Sequence, residues 1–217
     1  MTVSAAAPLS VVVVGSGNVG TALATNLRAL GHQVRIARRS AGDDDSIGID
    51  GASVDADVTI LAVPFGVVAD VVARLGLAPG AVVVDATNPF GQPLPEGAAS
   101  GVSVVVQAAG HGVHVVKAFN VLGAEHMAAP TLPDGHRPLL PVAADDATAR
   151  RLVADLATAM GFDAVEIDGL ADAGLLEEAA RYWGLLAFRG GRGRDMVLVA
   201  HQRPPATDGP SSAAGER

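Results

Sequence analysis

The chain has 217 residues, of which 49% are hydrophobic but only 3% aromatic, so aliphatic side chains must build its core. That composition favours a buried parallel sheet over an antiparallel sandwich. A net charge of −8 argues against nucleic acid or an anionic membrane as the partner, and the absence of cysteine excludes disulfides, thiolate nucleophiles and cysteine metal sites. No apolar run is long enough to span a bilayer and no secretory signal is evident, so we expect a soluble cytoplasmic protein.

Short runs rich in β-branched residues alternate along the chain with helical patterns. The predicted strands are residues 10–14, 33–37, 58–63, 81–85, 102–106, 113–117, 140–142 and 164–167. Most are continuous apolar runs, which is typical of strands that are buried on both faces. The predicted helices are residues 18–30, a segment capped by Asp145 or Asp146 that runs to residue 160, and residues 170–188, with Gly31 and Gly161 ending the first two.

This alternation predicts a doubly wound α/β fold, a Rossmann-like parallel sheet with a small C-terminal α/β extension. We place a domain boundary near residue 140, so that residues 1–140 form the main domain and residues 141–200 a small second one. Residues 201–217 are rich in Pro, Ser, Gly and Asp, and we expect a disordered tail there.

A glycine fingerprint follows the first strand. The pattern G-x-G-x-x-G is filled by Gly15, Ser16, Gly17, Asn18, Val19 and Gly20. Gly15 permits a tight turn, Gly17 lets the backbone approach a pyrophosphate, and Gly20 allows close packing of helix on strand. The N-terminus of the following helix offers amide donors to the phosphates. Because the fingerprint lies between a strand and a helix, it predicts dinucleotide binding rather than a glycine-rich turn without a ligand.

Two arginines follow the second strand, in the segment VRIARRS. An NAD-binding site carries an acidic residue about 20 residues beyond the fingerprint, where it accepts hydrogen bonds from the ribose hydroxyls. Here Arg38 and Arg39 take that place. A carboxylate would repel a 2′-phosphate, whereas a guanidinium can bind it through paired, charge-assisted hydrogen bonds. The sequence therefore predicts NADP(H) as the cofactor, and the alternative is a solvated pair of arginines in a surface turn.

Three further loops follow predicted strands. Ligands of an open parallel sheet bind outside the carboxyl ends of its strands, so these loops should lie beside the glycine turn. They contain Pro64 and Phe65, then Asn88 and Pro89, then Ala118, Phe119 and Asn120. The asparagines can hydrogen-bond a ribose or a carboxamide, and the phenylalanines can cover rings. For each residue, a structural role in a turn or in the core is the alternative.

Lys117 precedes the last of these loops and is the only lysine among 15 basic residues. A role beside the cofactor and a role as a partly buried lysine that bonds loop carbonyls are both open. No acid–base constellation stands out, and we predict no catalytic side chain and no metal site. If the protein is an enzyme, the cofactor carries the chemistry and the protein supplies binding and alignment.

The motifs together resemble those of a known family. The segments GSGNVGTALATNL, GHQVRIARR, ILAVPFGVV, VVVDATNP, VVKAFNVLG and LEEAARYWGLLAF occur in that order, and the likeness runs from about residue 11 to about residue 200. They look like the NADPH-dependent reductases of the deazaflavin coenzyme F420. The resemblance implies hydride transfer between C4 of the nicotinamide and C5 of the deazaflavin, with F420 as co-substrate and no metal or covalent intermediate.

The resemblance also implies roles for particular residues. Residues 16–19 would hold the pyrophosphate, and Arg38, with Arg39, the 2′-phosphate. The loop residues at 64–65 and 88–89 would border the adenosine and the nicotinamide, and those at 118–120 would lie near the ring junction. Residues 170–188 would close the deazaflavin side and offer a contact in a homodimer.

This chain departs from the family pattern at three points. One is Val121, which follows VVKAFN where the family usually has Thr. Ala37 stands where family members commonly carry a hydroxyl residue before the phosphate-binding arginine. Residues 40–57 are short and rich in Gly and Asp, and we expect most of a crossover helix and of a third strand to be lost there.

Two other functions remain open. One is an NADP(H)-dependent reductase of a different small acceptor, such as an imine, a carbonyl or a quinone. The other is a non-enzymatic NADP(H)-binding redox sensor. Function lives in the site rather than in the fold, so fold analogy does not choose among them.

Overall fold

The computed structural model describes residues 7–39 and 46–202. The strands are β1 Ser10–Val14, β2 Gln33–Arg38, β3 Ser46–Gly48, β4 Val58–Leu61, β5 Val82–Asp85, β6 His114–Lys117, β7 Leu139–Ala144 and β8 Asp163–Asp168. They form a single eight-stranded sheet in the order β3-β2-β1-β4-β5-β6-β7-β8. All neighbours pair in parallel except β6 and β7, which are antiparallel.

Among the described residues, five α-helices cover the two faces of this sheet. They are α1 Asn18–Ala29, α2 Val68–Arg74, α3 Gly101–Ala109, α4 Ala147–Met160 and α5 Ala173–Gly184. The side chains of β1 alternate between two hydrophobic clusters, one that includes residues of α1 and α4 and another that includes residues of α2 and α3. A strand buried on both faces reads as a continuous apolar run, as predicted. The structure confirms the doubly wound, Rossmann-like α/β fold.

Local sequence sets the ends of the longest helix. The Asp146 side chain accepts a hydrogen bond from the Ala149 N–H at 2.7 Å, which satisfies a backbone donor in the first turn of α4. The helix ends at Gly161, which is left-handed with φ +107°. Both residues match their predicted roles as caps.

One predicted strand is wrong. Residues 102–106 lie inside α3, because side chains satisfy the amides of its first turn. Ser100 and Ser103 form a capping box there. In addition, the Glu177 carboxylate accepts hydrogen bonds from the N–H groups of Gly101 and Val102 at 2.9 and 3.0 Å. A valine-rich run is compatible with a buried strand and with a buried helix. The contribution of Glu177 cannot be predicted from the local sequence, because this residue is more than 70 positions away.

The segment after β2 keeps a short third strand. β3 is three residues long and pairs in parallel with β2, which places Ser46 opposite Ile36 and Gly48 opposite Arg38. Within residues 46–57 the structure has no helix. The acidic run at residues 43–45 and most of the predicted disordered tail lie outside the described residues.

The predicted domain boundary near residue 140 falls inside β7, which pairs with β6 on one side and β8 on the other. The division into two domains stays a prediction. Across residues 7–39 and 46–202, none of the helices has the length and apolar character needed to cross a membrane.

Candidate functional site

Two adjoining cavities lie where the parallel strands end. The arginine cavity, of about 390 Å³, is lined by the glycine turn, by Arg38 and Arg39 and by residues of the following segments. The aromatic cleft, of about 520 Å³, is lined by the loops after β4, β5 and β6 and by residues 180–194. Val63 and Pro64 line both. One elongated ligand could therefore pass from one cavity into the other.

The glycine turn has the geometry that a bound pyrophosphate requires. Gly15 has φ +117°, and a Cβ there would lie 2.8 Å from the Ala62 carbonyl carbon and closer still to its oxygen. A Cβ on Gly20 would lie 3.0 Å from the carbonyl carbon of Gly15. By contrast, no atom lies within 4 Å of the position of a Cβ on Gly17. Gly15 and Gly20 are thus required by packing, whereas Gly17 faces the space that the phosphates would fill.

The two arginines line the arginine cavity at the end of β2. Arg38 is half-buried, and its Nη2 donates a hydrogen bond to the Ser46 hydroxyl at 2.9 Å. Arg39 is exposed. The pairing of β2 with β3 places Ser46 near Arg38, so a hydroxyl group is present although Ala37 lacks one. The short third strand therefore places a hydroxyl group against the Arg38 side chain.

Five aromatic side chains line the cleft. Phe65 and Phe119 were predicted from sequence, and the structure adds Phe90, Trp183 and Phe188. Phe90 and Phe119 are the non-glycine residues with positive φ in the described chain, at 45° and 59°. Such backbone is costly for a bulky residue and is concentrated at functional sites. The strained backbone at these two residues supports a functional role for the Phe90 and Phe119 rings in the cleft.

The loops after β5 and β6 are joined by hydrogen bonds between asparagine side chains, and two buried side-chain oxygen atoms there have no partner among the described residues. Asn88 Nδ2 donates to the Asn120 carbonyl at 2.8 Å, and Asn120 Nδ2 donates to Asn88 Oδ1 and to the Leu176 carbonyl, each at 3.0 Å. Asn120 Oδ1 and Thr87 Oγ1 are buried and have no partner among the described residues. Both residues line the cleft, and a buried polar atom without a partner is unusual in a folded protein, so the two residues are candidate contacts for a ligand.

Comparison with known proteins identifies the part of the chain that builds the arginine cavity. Residues 10–89 match the model of the family described as NADP oxidoreductase coenzyme F420-dependent. The match confirms, for this stretch, the resemblance seen in sequence. No curated protein matches the chain.

Solved structures share the fold over most of this chain. The hypothetical protein SMa0349 from Sinorhizobium meliloti has 29% identity and a TM-score of 0.67, covering 76% of this chain and 88% of its own. A proposed F420-dependent NADP-reductase from Arthrobacter sp. FB24 has 21% identity and a TM-score of 0.75, covering 89% and 100%. Pyrroline carboxylate reductase from Plasmodium falciparum, solved with NADP bound, has 13% identity and a TM-score of 0.55, covering 85% and 70%.

A buried ionic network lies beneath the cleft. Lys117 is fully buried, and its Nζ lies 2.9 Å from Asp85 Oδ2, 2.6 Å from the Thr87 carbonyl oxygen and 3.5 Å from Glu177 Oε1. Of the two roles left open from sequence, these contacts match the second, a buried lysine that bonds a loop carbonyl. Its ammonium holds the loop after β5 and helix α5 together rather than lining either cavity.

The C-terminal segment closes one side of the cleft. Arg194 lines the cleft and forms an ion pair with Glu125, and its hydrogen bonds hold the pKa of the Glu125 carboxyl below its usual range. The Trp183 indole N–H donates to the Met196 carbonyl at 2.8 Å. The Arg194 guanidinium also lies 5.8 Å from the centre of the Phe188 ring. These contacts join residues 194–196 to the loop after β6 and to α5.

The structure brings most of the predicted site residues to the two cavities. Those that line a cavity are Gly15, Ser16, Val19, Arg38, Arg39, Pro64, Phe65, Asn88, Phe119 and Asn120. Gly17 and Asn18 are exposed at the start of α1, Pro89 is half-buried, and Lys117 and Ala118 are fully buried. Contact of these residues with a cofactor stays a prediction.

Sequence reasoning missed part of the cleft wall. Phe90 and Gln92 follow the predicted loop after β5, and Arg194 lies beyond the predicted C-terminal helix. Trp183 and Phe188 lie within residues 170–188, the segment that the family resemblance places on the acceptor side, although no local pattern singled out these two side chains.

Proposed function

We propose that the protein transfers hydride between NADP(H) and the deazaflavin coenzyme F420. The observation that carries the proposal is the junction of the two cavities at Val63 and Pro64. A phosphate-binding turn and two arginines lie on one side of this junction, and an aromatic cleft large enough for a ring system lies on the other. Both lie at the carboxyl ends of the strands, where nucleotides bind in open α/β folds.

The residues on the nucleotide side fit NADP(H). The turn at Gly17 and the N-terminus of α1 would hold the pyrophosphate, and Arg38 and Arg39 would hold the 2′-phosphate. The carboxamide of the nicotinamide would bind Asn120 and Thr87, because both residues line the cleft and each has a buried side-chain oxygen without a partner among the described residues.

When bound, NADPH supplies a hydride from C4 of its nicotinamide. The protein's part is to exclude water with its apolar walls and to hold the two rings face to face. The described residues that line the cleft include no Asp, Glu, His, Lys or Tyr. That wall suits a deazaflavin, which delocalises the added electron pair over its ring and can take its proton from bulk water after the hydride step. An imine or carbonyl acceptor would ordinarily need a positioned proton donor.

Rapid mixing of the protein with NADPH and oxidised F420 tests the proposal. We expect fast loss of the visible absorbance of the deazaflavin with NADPH, and slow or no loss with NADH. Tight NADPH binding without loss of absorbance would contradict the F420 assignment. The site would then serve another acceptor or act as a redox sensor.

A further inference from the structure

We propose that the outer face of α5 and of the π-helical turn that follows it, Leu185–Arg189, carries a subsite for an anionic side chain of the hydride acceptor. The inference rests on the proposed function and extends it from the ring to the chain attached to the ring. Its basis is a third cavity, of about 700 Å³, which adjoins the aromatic cleft and is called the side-chain groove. The two cavities share Phe90, Ala180, Gly184 and Phe188.

Helix α5 and the turn after it divide their side chains between two environments. Leu176, Ala180 and Trp183 are buried against the core. On the opposite face Tyr182 and Leu185 line the groove, with 54% and 45% of their surfaces exposed. A run of exposed large apolar side chains that leads out of a cleft is typical of a binding surface.

Phe90 and Phe188 stand where the cleft meets the groove. They are 65% and 61% exposed, although each belongs to the wall of both cavities. Phe188 packs edge-on against Trp183, with ring centres 6.2 Å apart. A ligand whose ring lies in the cleft could therefore pass its attached chain between these two rings into the groove.

The charge of the groove differs in sign from that of the whole protein. The chain carries a net charge of −8, yet the charged residues that line the groove are Glu178, Arg181 and Arg189. Arg181 binds both carboxylate oxygens of Glu178, at 2.8 and 2.9 Å, so these two charges offset each other. Within the described chain, Arg189 forms no ion pair and no side-chain hydrogen bond. It leaves one uncompensated positive charge at an apolar surface.

A guanidinium in this position matches a ligand with phosphate or carboxylate oxygens. The side chain of the deazaflavin coenzyme carries both groups, a phosphodiester followed by glutamate carboxylates. The groove would bind this anionic chain through Arg189, while the exposed rings would pack against its apolar portions. The subsite would therefore act on affinity for the acceptor rather than on the hydride step.

Three hydride acceptors distinguish whether the phosphodiester or the glutamate carboxylates of the side chain bind the groove. They are the deazaflavin riboside, the coenzyme form with the phosphodiester but no glutamate, and the complete coenzyme. The KM of each is measured at saturating NADPH. For the unmodified protein we expect the KM of the riboside to be about tenfold higher than that of the complete coenzyme. The intermediate form shows whether the phosphodiester or the carboxylates account for the difference.

Two exposed arginines provide the variant and its control. Arg189→Gln should raise the KM of the complete coenzyme about tenfold, so that the ratio between riboside and coenzyme falls toward one. Arg192→Gln removes the same charge three residues away, from a side chain that lines none of the three cavities described here, and should preserve the ratio. Both side chains are exposed, so both variants should fold.

Equal KM values for riboside and coenzyme in the unmodified protein would overturn the subsite, as would equal effects of the two substitutions. A change in sedimenting mass on Arg189→Gln would overturn it in favour of a contact between two copies of the chain. Failure of the proposed function gives a different result, because then none of the three deazaflavins is reduced.

Discussion

The arginine cavity and the aromatic cleft are built in different ways. All residues of the arginine cavity lie between positions 15 and 71, in the first half of the sheet. The aromatic cleft draws on segments that extend from position 19 to position 194. The first is a local motif, in which one strand, one turn and the next strand place every essential group. The second exists only after distant parts of the chain have packed together.

The two cavities also differ in what keeps their shape. Backbone contacts that only glycine allows hold the turn of the arginine cavity. The floor of the cleft is held by the buried ammonium of Lys117 and the carboxylates of Asp85 and Glu177. Substitutions should therefore damage the two cavities in distinguishable ways.

We expect the largest effect from Lys117→Met. Removal of one partner from a buried ionic network leaves uncompensated charge, which typically costs about 3–5 kcal/mol of unfolding free energy. Urea unfolding measures this loss. The triple variant that also carries Asp85→Asn and Glu177→Gln has no buried charge at this place and should regain part of the stability. A loss below about 1 kcal/mol in the single variant would show that the network does not hold the cleft.

Separate substitutions of Gly15 and Gly17 distinguish the effect of the turn on protein stability from its effect on NADPH binding. Gly15→Ala places a Cβ against the Ala62 carbonyl in a left-handed conformation, and we expect a loss of about 2–5 kcal/mol in thermal or urea unfolding. Gly17→Ala meets no protein atom within 4 Å, so its stability should be preserved while NADPH affinity falls at least about tenfold. If Gly17→Ala bound NADPH normally, the phosphates would not lie over this turn.

The arginine cavity should lose its preference for NADPH on Arg38→Asp. One charge-assisted bond contributes about 1.5–3 kcal/mol, so NADPH affinity should fall about ten- to hundred-fold while NADH affinity changes little. Arg35→Asp is the matched control, since it makes the same charge change at an exposed position of β2 that lines neither cavity. Titration with both nucleotides measures the effect. Equal losses for NADPH and NADH would remove the 2′-phosphate assignment.

The smallest expected effect concerns the pair formed by Glu125 and Arg194. Hydrogen bonds from Arg194 lower the pKa of Glu125 from its ordinary value of 4.5, so the stabilisation is complete above that pH and is lost as the pH falls through the lower, folded-state pKa. Because both side chains are substantially exposed, the contribution should stay below about 1 kcal/mol.

Unfolding followed by the fluorescence of Trp183, the only tryptophan, measures this contribution. The unmodified protein should be slightly more stable than Glu125→Gln at pH 7, and the difference should vanish in acid. A difference that persists below the lowered pKa would have to come from a source other than the ion pair.

Much of the fold could be predicted because its signals are local. The glycine turn, the caps at Asp146 and Gly161 and the continuous apolar runs each depend on residues within a few positions of one another. The error at residues 102–106 shows the limit of such signals. A valine-rich run suits a strand or a buried helix, and the capping groups of α3 include the carboxylate of the distant Glu177.

The sequence by itself determined the α/β architecture, the position of the glycine turn and the arginines at the end of β2. Only the tertiary structure decided that Ser46 reaches Arg38, that Lys117 is buried among carboxylates, and that Trp183, Phe188 and Arg194 form a wall of the cleft. The physical reason is the distance along the sequence between the residues that interact. Backbone propensity and phosphate-binding turns depend on neighbouring residues, whereas side-chain burial, ion pairing and cavity shape depend on which distant segments pack against each other.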